Sequence, residues 1–398
     1  MEEEKEANLR NFLEWAASLG ISDSPDPRSP SPSCLGHSLS ISHFPQAGGR
    51  GFAAVRDIKK GELILRVPKA ALLTADAVIS KEYKLSAALD KYPLLSSTQI
   101  LSIALLHEVS KGRSSWWYPY ITQIPRSYDL LFNFNQLEIE ALQIDDAIWT
   151  TEKAVHKCKM EWEEASPLMS ELHLKPQFVT YQAWLWASAT VLLSYGTYTN
   201  LELLEHYGFL LHENPSDKAF IPLEPEMFSL YNGQRESLYI SHDGKPSFSL
   251  LMTARLWVTP RSKRKSIKHI VCSGFQISVE NEEFVLKWIV EKCRLLLSGY
   301  ATSIEEDELL LCSLEEIQNY NKLSENREAS AAPKDEIWRI LESNNVERGE
   351  LCGKLNISLK TRRSIDRWKL AVQWRRNYKK ILFNCISQCD KILDINFC

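Results

Sequence analysis

The chain has 398 residues, of which 44% are hydrophobic and 25% charged, and its formal net charge is −4. This composition is typical of a globular protein rather than a disordered one, and the length suits two or three domains. The acidic balance gives no global positive field, so we expect no direct nucleic-acid partner. No stretch is apolar for long enough to span a bilayer, so we expect no membrane partner.

Nine cysteines are present, an odd number, and no two of them form a Cys-x-x-Cys pair. This pattern indicates reduced, mostly buried thiols in an intracellular protein. Cys385 and Cys389 share a predicted helix face, but no third ligand lies at metal-binding spacing, so we predict no metal site. The acidic start of the chain, Glu-Glu-Glu-Lys-Glu at residues 2–6, differs from a signal or transit peptide, and we predict a cytoplasmic or nuclear protein.

The first predicted element is a short amphipathic helix over residues 8–19, which a polar, Pro-rich loop over residues 22–33 follows. Two short apolar runs, residues 51–55 and 62–67, predict a strand pair. The turn signal at Lys60-Gly61 lies between them and favours a hairpin.

Helical spacing then dominates from about residue 75 to residue 194. An aromatic cluster at residues 116–121 favours core packing over ligand stacking. Loops and short strands are expected over residues 195–260, with 256–258 a candidate strand, and helix returns over residues 281–311. The clearest helix covers residues 364–393, with an apolar stripe of Trp368, Ala371, Trp374, Tyr378, Leu382, Cys385 and Cys389.

A basic run occupies residues 261–265, Arg-Ser-Lys-Arg-Lys, directly after Pro260. Such a run favours a solvated loop. It leaves open a nuclear address or an anion-binding patch.

Two segments could carry chemistry. Gly48-Gly49-Arg50-Gly51-Phe52 stands at the start of a predicted strand, and glycines let a backbone approach a ligand closely or take a positive φ. Tyr195 and Tyr207 flank one short predicted helix, and a buried tyrosine hydroxyl needs a partner, which a ligand can supply. Taken alone, the first segment favours a simple turn and the second favours ordinary core tyrosines.

Taken together, these segments resemble a known family. Residues 49–62 are similar to the opening hairpin of SET domains, and residues 200–209 to the closing motif of the Rubisco large-subunit methyltransferase-like subclass. Residues 119–125 and 184–188 resemble the helical insert of that subclass. Residues 281–307 resemble its C-terminal substrate-binding lobe.

The resemblance implies an α+β fold, made of a curtailed SET-type β-region, a helical insert and an all-helical C-terminal lobe. The implied division of the chain has five segments. They are an N-terminal helix and Pro-rich loop over 1–47, the N-terminal part of the SET domain over 48–74, the helical insert over 75–180, the remaining C-terminal part of the SET domain over 181–245, and the substrate-binding-like lobe over 246–398.

The resemblance further implies S-adenosyl-L-methionine as the cofactor and a protein side chain, lysine or else histidine, as the methyl acceptor. Tyr195 would stand at the methyl-transfer pore as the catalytic residue. The cofactor-binding residues would be Gly48, Gly49, Arg50, Gly51, Phe52, Tyr207 and Phe209. An accepting lysine must be neutral although its free pKa is about 10.4, and an apolar channel beside a sulfonium favours that neutral form.

One departure from the family matters as much as the match. The subclass places an Asn-His pair and several strands before the pore tyrosine, whereas here residues 186–194 run directly into Tyr195 and no Asn-His dipeptide occurs in the chain. We therefore predict an internal deletion between Ser194 and Tyr195 that removes one wall of the cofactor pocket. Two functions stay open: a protein-lysine N-methyltransferase, favoured by residues 49–52 and Tyr195, and a non-catalytic protein-interaction adaptor, favoured by the missing segment.

Overall fold

The computed structural model describes residues 2–25, 33–44, 49–81, 83–191, 197–230, 237–319, 334–344 and 358–397. The helices are α1 (Glu2–Ser18), α2 (Ala75–Lys81), α3 (Tyr83–Leu89), α4 (Ser97–Lys111), α5 (Tyr118–Ile121), α6 (Gln136–Glu140), α7 (Asp145–Glu171), α8 (Tyr181–Val191), α9 (Asn200–Tyr207), α10 (Phe248–Val258), α11 (Arg264–Cys272), α12 (Val279–Gly299), α13 (Ile304–Asn319), α14 (Lys334–Ser343) and α15 (Leu359–Phe397). The strands are β1 (Leu39–Phe44), β2 (Gly49–Ala54), β3 (Lys218–Phe220) and β4 (Tyr239–Ser241). This mixture of many helices and few strands confirms the predicted α+β class.

The strands form two separate antiparallel pairs, β1 with β2 and β3 with β4. The predicted pairing of residues 51–55 with 62–67 is wrong, because β2 pairs with β1, and 62–67 contributes only an isolated bridge from Arg66 to Ser22. The N–H of Glu62 donates to the carbonyl of Lys59 at 3.1 Å and the Glu62 side chain forms an ion pair with Arg56, so these residues form a turn.

The chain divides into two compact units. The first comprises Met1–Asn133, Thr151–Tyr195 and Leu204–Leu210, and the second comprises Phe134–Thr150, Gly196–Leu203 and Leu211–Cys398. The finer division into five segments stays a prediction.

The core of the first unit is helical, as the sequence predicted for residues 75–194. Helix α4 begins with a capping box in which Ser96 and Gln99 satisfy each other's backbone N–H groups. It packs on α8, where Ile103 and Trp184 are fully buried. In the aromatic cluster, the ring of Trp117 meets that of Trp15 on α1 edge to face, with their centroids 5.6 Å apart. Trp116 is 49% exposed, so the cluster packs at the surface of the unit and the prediction of core packing is wrong for this residue.

The core of the second unit is organised by α15. Every residue of its predicted apolar stripe is buried, which confirms the sequence analysis of this helix. The same helix carries two buried cations, Arg375 and Lys379, and both bind the buried carboxylate of Asp307 on α13, at 2.8 and 2.7 Å. A buried carboxylate with two cationic partners avoids the cost of an unpaired charge.

One further expectation is wrong. The candidate strand at residues 256–258 is the last turn of α10, which begins at its N-cap Ser247, whose side chain accepts a hydrogen bond from the N–H of Leu250. An apolar run of this length does not by itself distinguish a strand from the buried end of a helix. Among the described residues, no helix has both the length and the apolar character needed to cross a lipid bilayer.

Candidate functional site

The glycine-bearing hairpin is anchored at Arg50. Its guanidinium donates through Nη1 to Oε1 of Gln123 at 3.1 Å and through Nη2 to the backbone carbonyl of the same residue. Gly49 has a φ of +90°, which favours glycine, and a Cβ added at Gly51 would lie 3.3 Å from the ring of Phe44. The backbone conformation at position 49 therefore favours glycine, and Gly51 lets the ring of Phe44 pack closely against the strand. Gly48, also predicted to bind the cofactor, lies outside the described residues.

The outer side of this hairpin is open. Phe52 is 57% exposed, and among the described residues β2 has β1 as its only strand partner. A strand at a sheet edge presents backbone N–H and C=O groups that a ligand can bind.

The two ends of the second candidate segment, residues 201–210, are held together by the side chain of Asn200, which is 1% exposed. Its Oδ1 accepts a hydrogen bond from the N–H of Leu211 at 3.0 Å, and its Nδ2 donates to the carbonyl of the same residue at 3.1 Å. The Nδ2 also donates to Oδ2 of Asp217 at 2.8 Å. One amide thus fixes both ends of the segment 201–210.

Asp217 is the buried partner of that amide. Burial raises the pKa of its carboxyl above the usual value, and hydrogen bonds from the backbone and side chain of Asn200 oppose that rise. The role of this pair was not predicted from the sequence. A carboxylate seventeen positions after an asparagine has no local signature, and only the polarity of Asn200 within the motif gave a signal.

Between these fixed ends, two rings lie close together. The centroids of Tyr207 and Phe209 are 6.3 Å apart with the ring planes inclined at 48°, and both residues are half-buried. Gly208 between them has a φ of +73°, and a Cβ there would lie 2.8 Å from the carbonyl carbon of Asp129. Only glycine fits this approach, so the backbone at position 208 sets the direction of both rings.

The predicted site residues are therefore partly brought together. The hairpin residues Gly49–Phe52 and the segment Leu204–Leu210 belong to the same compact unit, although about 150 residues of chain separate them. A direct contact between the two stretches stays a prediction. Tyr195, the predicted catalytic residue, lies outside the described residues.

These residues fit one side of a nucleoside-like cofactor. The edge of β2 offers backbone groups at glycine positions that admit close approach, and Tyr207 and Phe209 offer aromatic surfaces.

Known proteins resemble this chain along most of its length. The family described as Rubisco LSMT substrate-binding matches residues 201–382. Protein SET DOMAIN GROUP 40 of Arabidopsis thaliana is 43% identical, over 96% of this chain and 96% of its own. Actin-histidine N-methyltransferase of Mus musculus is 24% identical, over 66% of this chain and 59% of its own.

Solved structures share the fold. The SET domain of LSMT bound to lysine and AdoHcy aligns with a TM-score of 0.57 at 17% identity, covering 98% of this chain and 92% of that one. Rubisco LSMT bound to AdoMet aligns with a TM-score of 0.52 at 18% identity, covering 97% and 92% of the two chains.

The alignment with the Arabidopsis protein also bears on the predicted deletion. It is 470 positions long, whereas this chain has 398 residues, so the relative carries residues that this chain lacks. The position of the gap between Ser194 and Tyr195 stays a prediction. The identity and coverage shared with this relative show that the chain belongs to the SET-domain protein methyltransferases, in the subclass of the Rubisco large-subunit methyltransferase.

Proposed function

We propose that this chain is an S-adenosyl-L-methionine-dependent N-methyltransferase that acts on lysine side chains of a protein. The observation that carries the proposal is the return of Leu204–Leu210 to the compact unit that holds the β1–β2 hairpin. This return supports a shared pocket between the two stretches that the family motif identifies. Histidine is a second candidate acceptor, because one relative is an actin-histidine N-methyltransferase.

In this proposal the cofactor, when bound, supplies an electrophilic methyl group on a sulfonium. The backbone of residues 49–52 would hold it at the edge of β2, and the rings of Tyr207 and Phe209 would bound the pocket. The hydroxyl of Tyr195 would orient the neutral acceptor amine. Positioning is the main contribution of the protein, because a displacement at carbon needs donor and acceptor held in line.

The alternative is an adaptor that binds protein without catalysis. It is favoured by the residues that the relative carries and this chain lacks, since their loss would open the cofactor pocket. Calorimetric titration of the whole chain with S-adenosyl-L-methionine separates the two. We expect a saturable heat at millimolar cofactor or below, and no heat together with no thermal shift would overturn the methyltransferase proposal.

The site is tested by the variant Tyr207→Leu, which removes the aromatic ring, with Tyr92→Leu as its control. Tyr92 lies in the same unit and its hydroxyl bonds Glu171 at 3.4 Å, away from the motif. We expect Tyr207→Leu to weaken cofactor binding several-fold and Tyr92→Leu to leave it unchanged. Equal effects would remove Tyr207 from the site.

Catalysis and acceptor are tested by transfer of tritiated methyl to lysine-bearing and histidine-bearing peptides. The variant Tyr195→Phe should lower this transfer sharply while cofactor binding persists. Transfer to histidine peptides alone would replace lysine as the acceptor.

We also propose a plant protein of the cytoplasm or nucleus. The plant assignment rests on the Arabidopsis relative. The compartment rests on the cysteines, because the seven that the structure describes are free thiols, as is usual in reducing compartments. Imaging of a fluorescent fusion in plant cells tests it, and a signal in the secretory pathway would contradict it.

A further inference from the structure

A strongly basic surface lies on the second unit, in and before α11. Residues 244–279 contain seven lysines and arginines and no aspartate or glutamate, although the chain as a whole is acidic. We define the basic surface as Arg261, Lys263, Lys265, Lys268 and His269, and all five are exposed. The concentration of one sign of charge runs against the composition of the chain and calls for a physical explanation.

The fold obliges these side chains to face solvent. Helix α11 packs on α10, and Val271 is fully buried. Positions 265, 268 and 269 follow the spacing of one helix face, on the side away from that contact. Lys265, Lys268 and His269 therefore form the outward face of an amphipathic helix, and Arg261 and Lys263 lie in the turn before it, so the predicted solvated loop is wrong for the helical part of the run.

The lysines and the arginine of this surface have no acidic partner within the part of the chain that the structure describes. No described carboxylate lies within ion-pair distance of any of them. Some other exposed lysines of the same unit are paired, Lys245 with Asp243 at 2.7 Å and Lys287 with Glu283 at 2.5 Å. Arg264, within the same run, is a structural residue, since its guanidinium donates to the carbonyls of Thr259 and Trp257 at 2.9 and 2.8 Å.

Two exposed aromatic rings adjoin the end of α11. Phe275 is 67% exposed and Phe248 is 54% exposed. A Cβ at Gly274 would lie 3.3 Å from the ring of Phe248, so this ring stands over the backbone beside Phe275. The surface thus offers unpaired positive charge next to an apolar area, and a ligand that matches it carries negative charge next to an apolar side chain.

We propose that the basic surface binds an acidic segment of a partner protein, with an apolar side chain of that segment resting on Phe248 and Phe275. The partner is the protein substrate, so this assignment rests on the proposed function. Peptide is favoured over nucleic acid, since the net charge of −4 opposes long-range attraction of a polyanion while a short acidic segment meets only the local field.

The test uses the full chain and a short fluorescein-labelled peptide rich in glutamate with one phenylalanine. Binding is measured by fluorescence anisotropy. The combined variant Lys263→Glu, Lys265→Glu and Lys268→Glu should weaken binding by about tenfold or more. The control combines Lys159→Glu, Lys360→Glu and Lys391→Glu, which are exposed lysines elsewhere and give the same change in net charge. Equal weakening by both sets would mean that net charge alone acts, and would overturn the proposal.

The apolar part is tested by Phe275→Ala, which should weaken the phenylalanine-bearing peptide about threefold and leave a peptide without phenylalanine unchanged. Single-stranded RNA and phosphatidylserine vesicles serve as competing probes. Tighter binding of either than of the peptide, lost in the lysine variant of the surface, would overturn the assignment to a protein partner.

Failure of this inference is distinguishable from failure of the proposed function. The lysine variant of the surface should bind S-adenosyl-L-methionine as the unchanged chain does. Peptide binding in a chain that binds no cofactor would keep the docking surface and overturn only the methyltransferase proposal.

Discussion

Apolar residues are buried to very different degrees in two regions of the molecule. One is helix α15, and the other is the β1–β2 hairpin together with the chain that follows it. Along α15 the whole stripe from Trp368 to Cys389 is buried. From the hairpin onward, large apolar side chains are exposed at Phe44, Phe52, Val55, Ile58, Leu63, Ile64, Val67 and Leu72. Both regions are rich in apolar residues, so composition does not explain the difference.

The difference shows that packing around α15 is extensive and that packing around the hairpin is sparse. The second unit holds every layer that α15 needs, because α12 and α13 both pack on it. In the hairpin region these apolar residues are exposed within the described part of the structure, and the alignment with the Arabidopsis relative is longer than this chain. Stability should therefore depend strongly on α15 and weakly on apolar contacts of the hairpin.

Loss of a buried charge on α15 should destabilise the protein most. Arg375 donates to Asp307 at 2.8 Å and to the carbonyl of Ala141 at 2.8 Å. Arg375→Met leaves these acceptors without that partner, so we expect the free energy of unfolding to fall by about 3–5 kcal/mol in urea denaturation. The control Arg294→Met removes an exposed pair with Asp390 and should cost less than about 1 kcal/mol. A similar small cost at both positions would contradict the assignment of Arg375 to the core.

The same substitution, leucine to alanine, should have different effects in the two regions. Leu382 on α15 is fully buried, whereas Leu63 after the hairpin is 50% exposed. Leu382→Ala should lower the free energy of unfolding by about 2–5 kcal/mol because it leaves a cavity. Leu63→Ala should change it by less than about 0.5 kcal/mol. Urea unfolding of both variants measures the difference, and a large cost at Leu63 would mean that the hairpin has a cover after all.

A smaller and pH-dependent effect concerns how the hairpin is anchored. Oδ2 of Asp23 accepts backbone N–H groups at 2.7–3.0 Å from Gly36, His37, Ser38 and Leu39, where β1 begins. Burial alone would raise the pKa of this carboxyl, but the four hydrogen bonds hold its pKa below the usual 3.8. The carboxylate therefore stabilises the fold above pH 3.8, and this contribution is lost as pH falls through the lowered pKa.

Asp23→Asn should therefore lower the free energy of unfolding at pH 7 by about 1–3 kcal/mol, since hydrogen bonds to a charged group become bonds to a neutral one. Below the lowered pKa the difference between the two proteins should shrink, because the native carboxyl is then protonated. Urea unfolding at neutral and acidic pH measures it. A deficit that stays constant with pH would show that shape, not charge, is what Asp23 contributes.

The sequence predicted α15 well because a long stripe at helical spacing is a strong, repeated signal. It failed at residues 62–67, where apolar character and a turn signal suited a strand, because β2 pairs instead with β1, which the sequence pattern did not predict. It failed at residues 256–258 because a short apolar run suits both a strand and a helix end.

The site was predictable only in part, and for a similar reason. The motif around Tyr207 and Phe209 is contiguous, and the family resemblance identified it. The hydrogen bond from Asn200 to Asp217 joins separate stretches of the chain, and no spacing rule predicts it. The close packing of Gly208 against the backbone of Asp129 is likewise a tertiary contact, and a glycine in the sequence does not predict it.

The length of α15 has a mechanical consequence. Near one end of the helix, Arg367 donates a hydrogen bond to the carboxylate of Glu138 on α6. Near the other end, Gln388 donates to the carbonyl of Asp243. The turn beside Asp243 lies close to the helix, because a Cβ added at Gly244 would meet the backbone of Asn384 at 2.9 Å. These two contacts are about 30 Å apart along the helix axis. Because a helix barely stretches, α15 fixes the distance between α6 and the turn at Asp243.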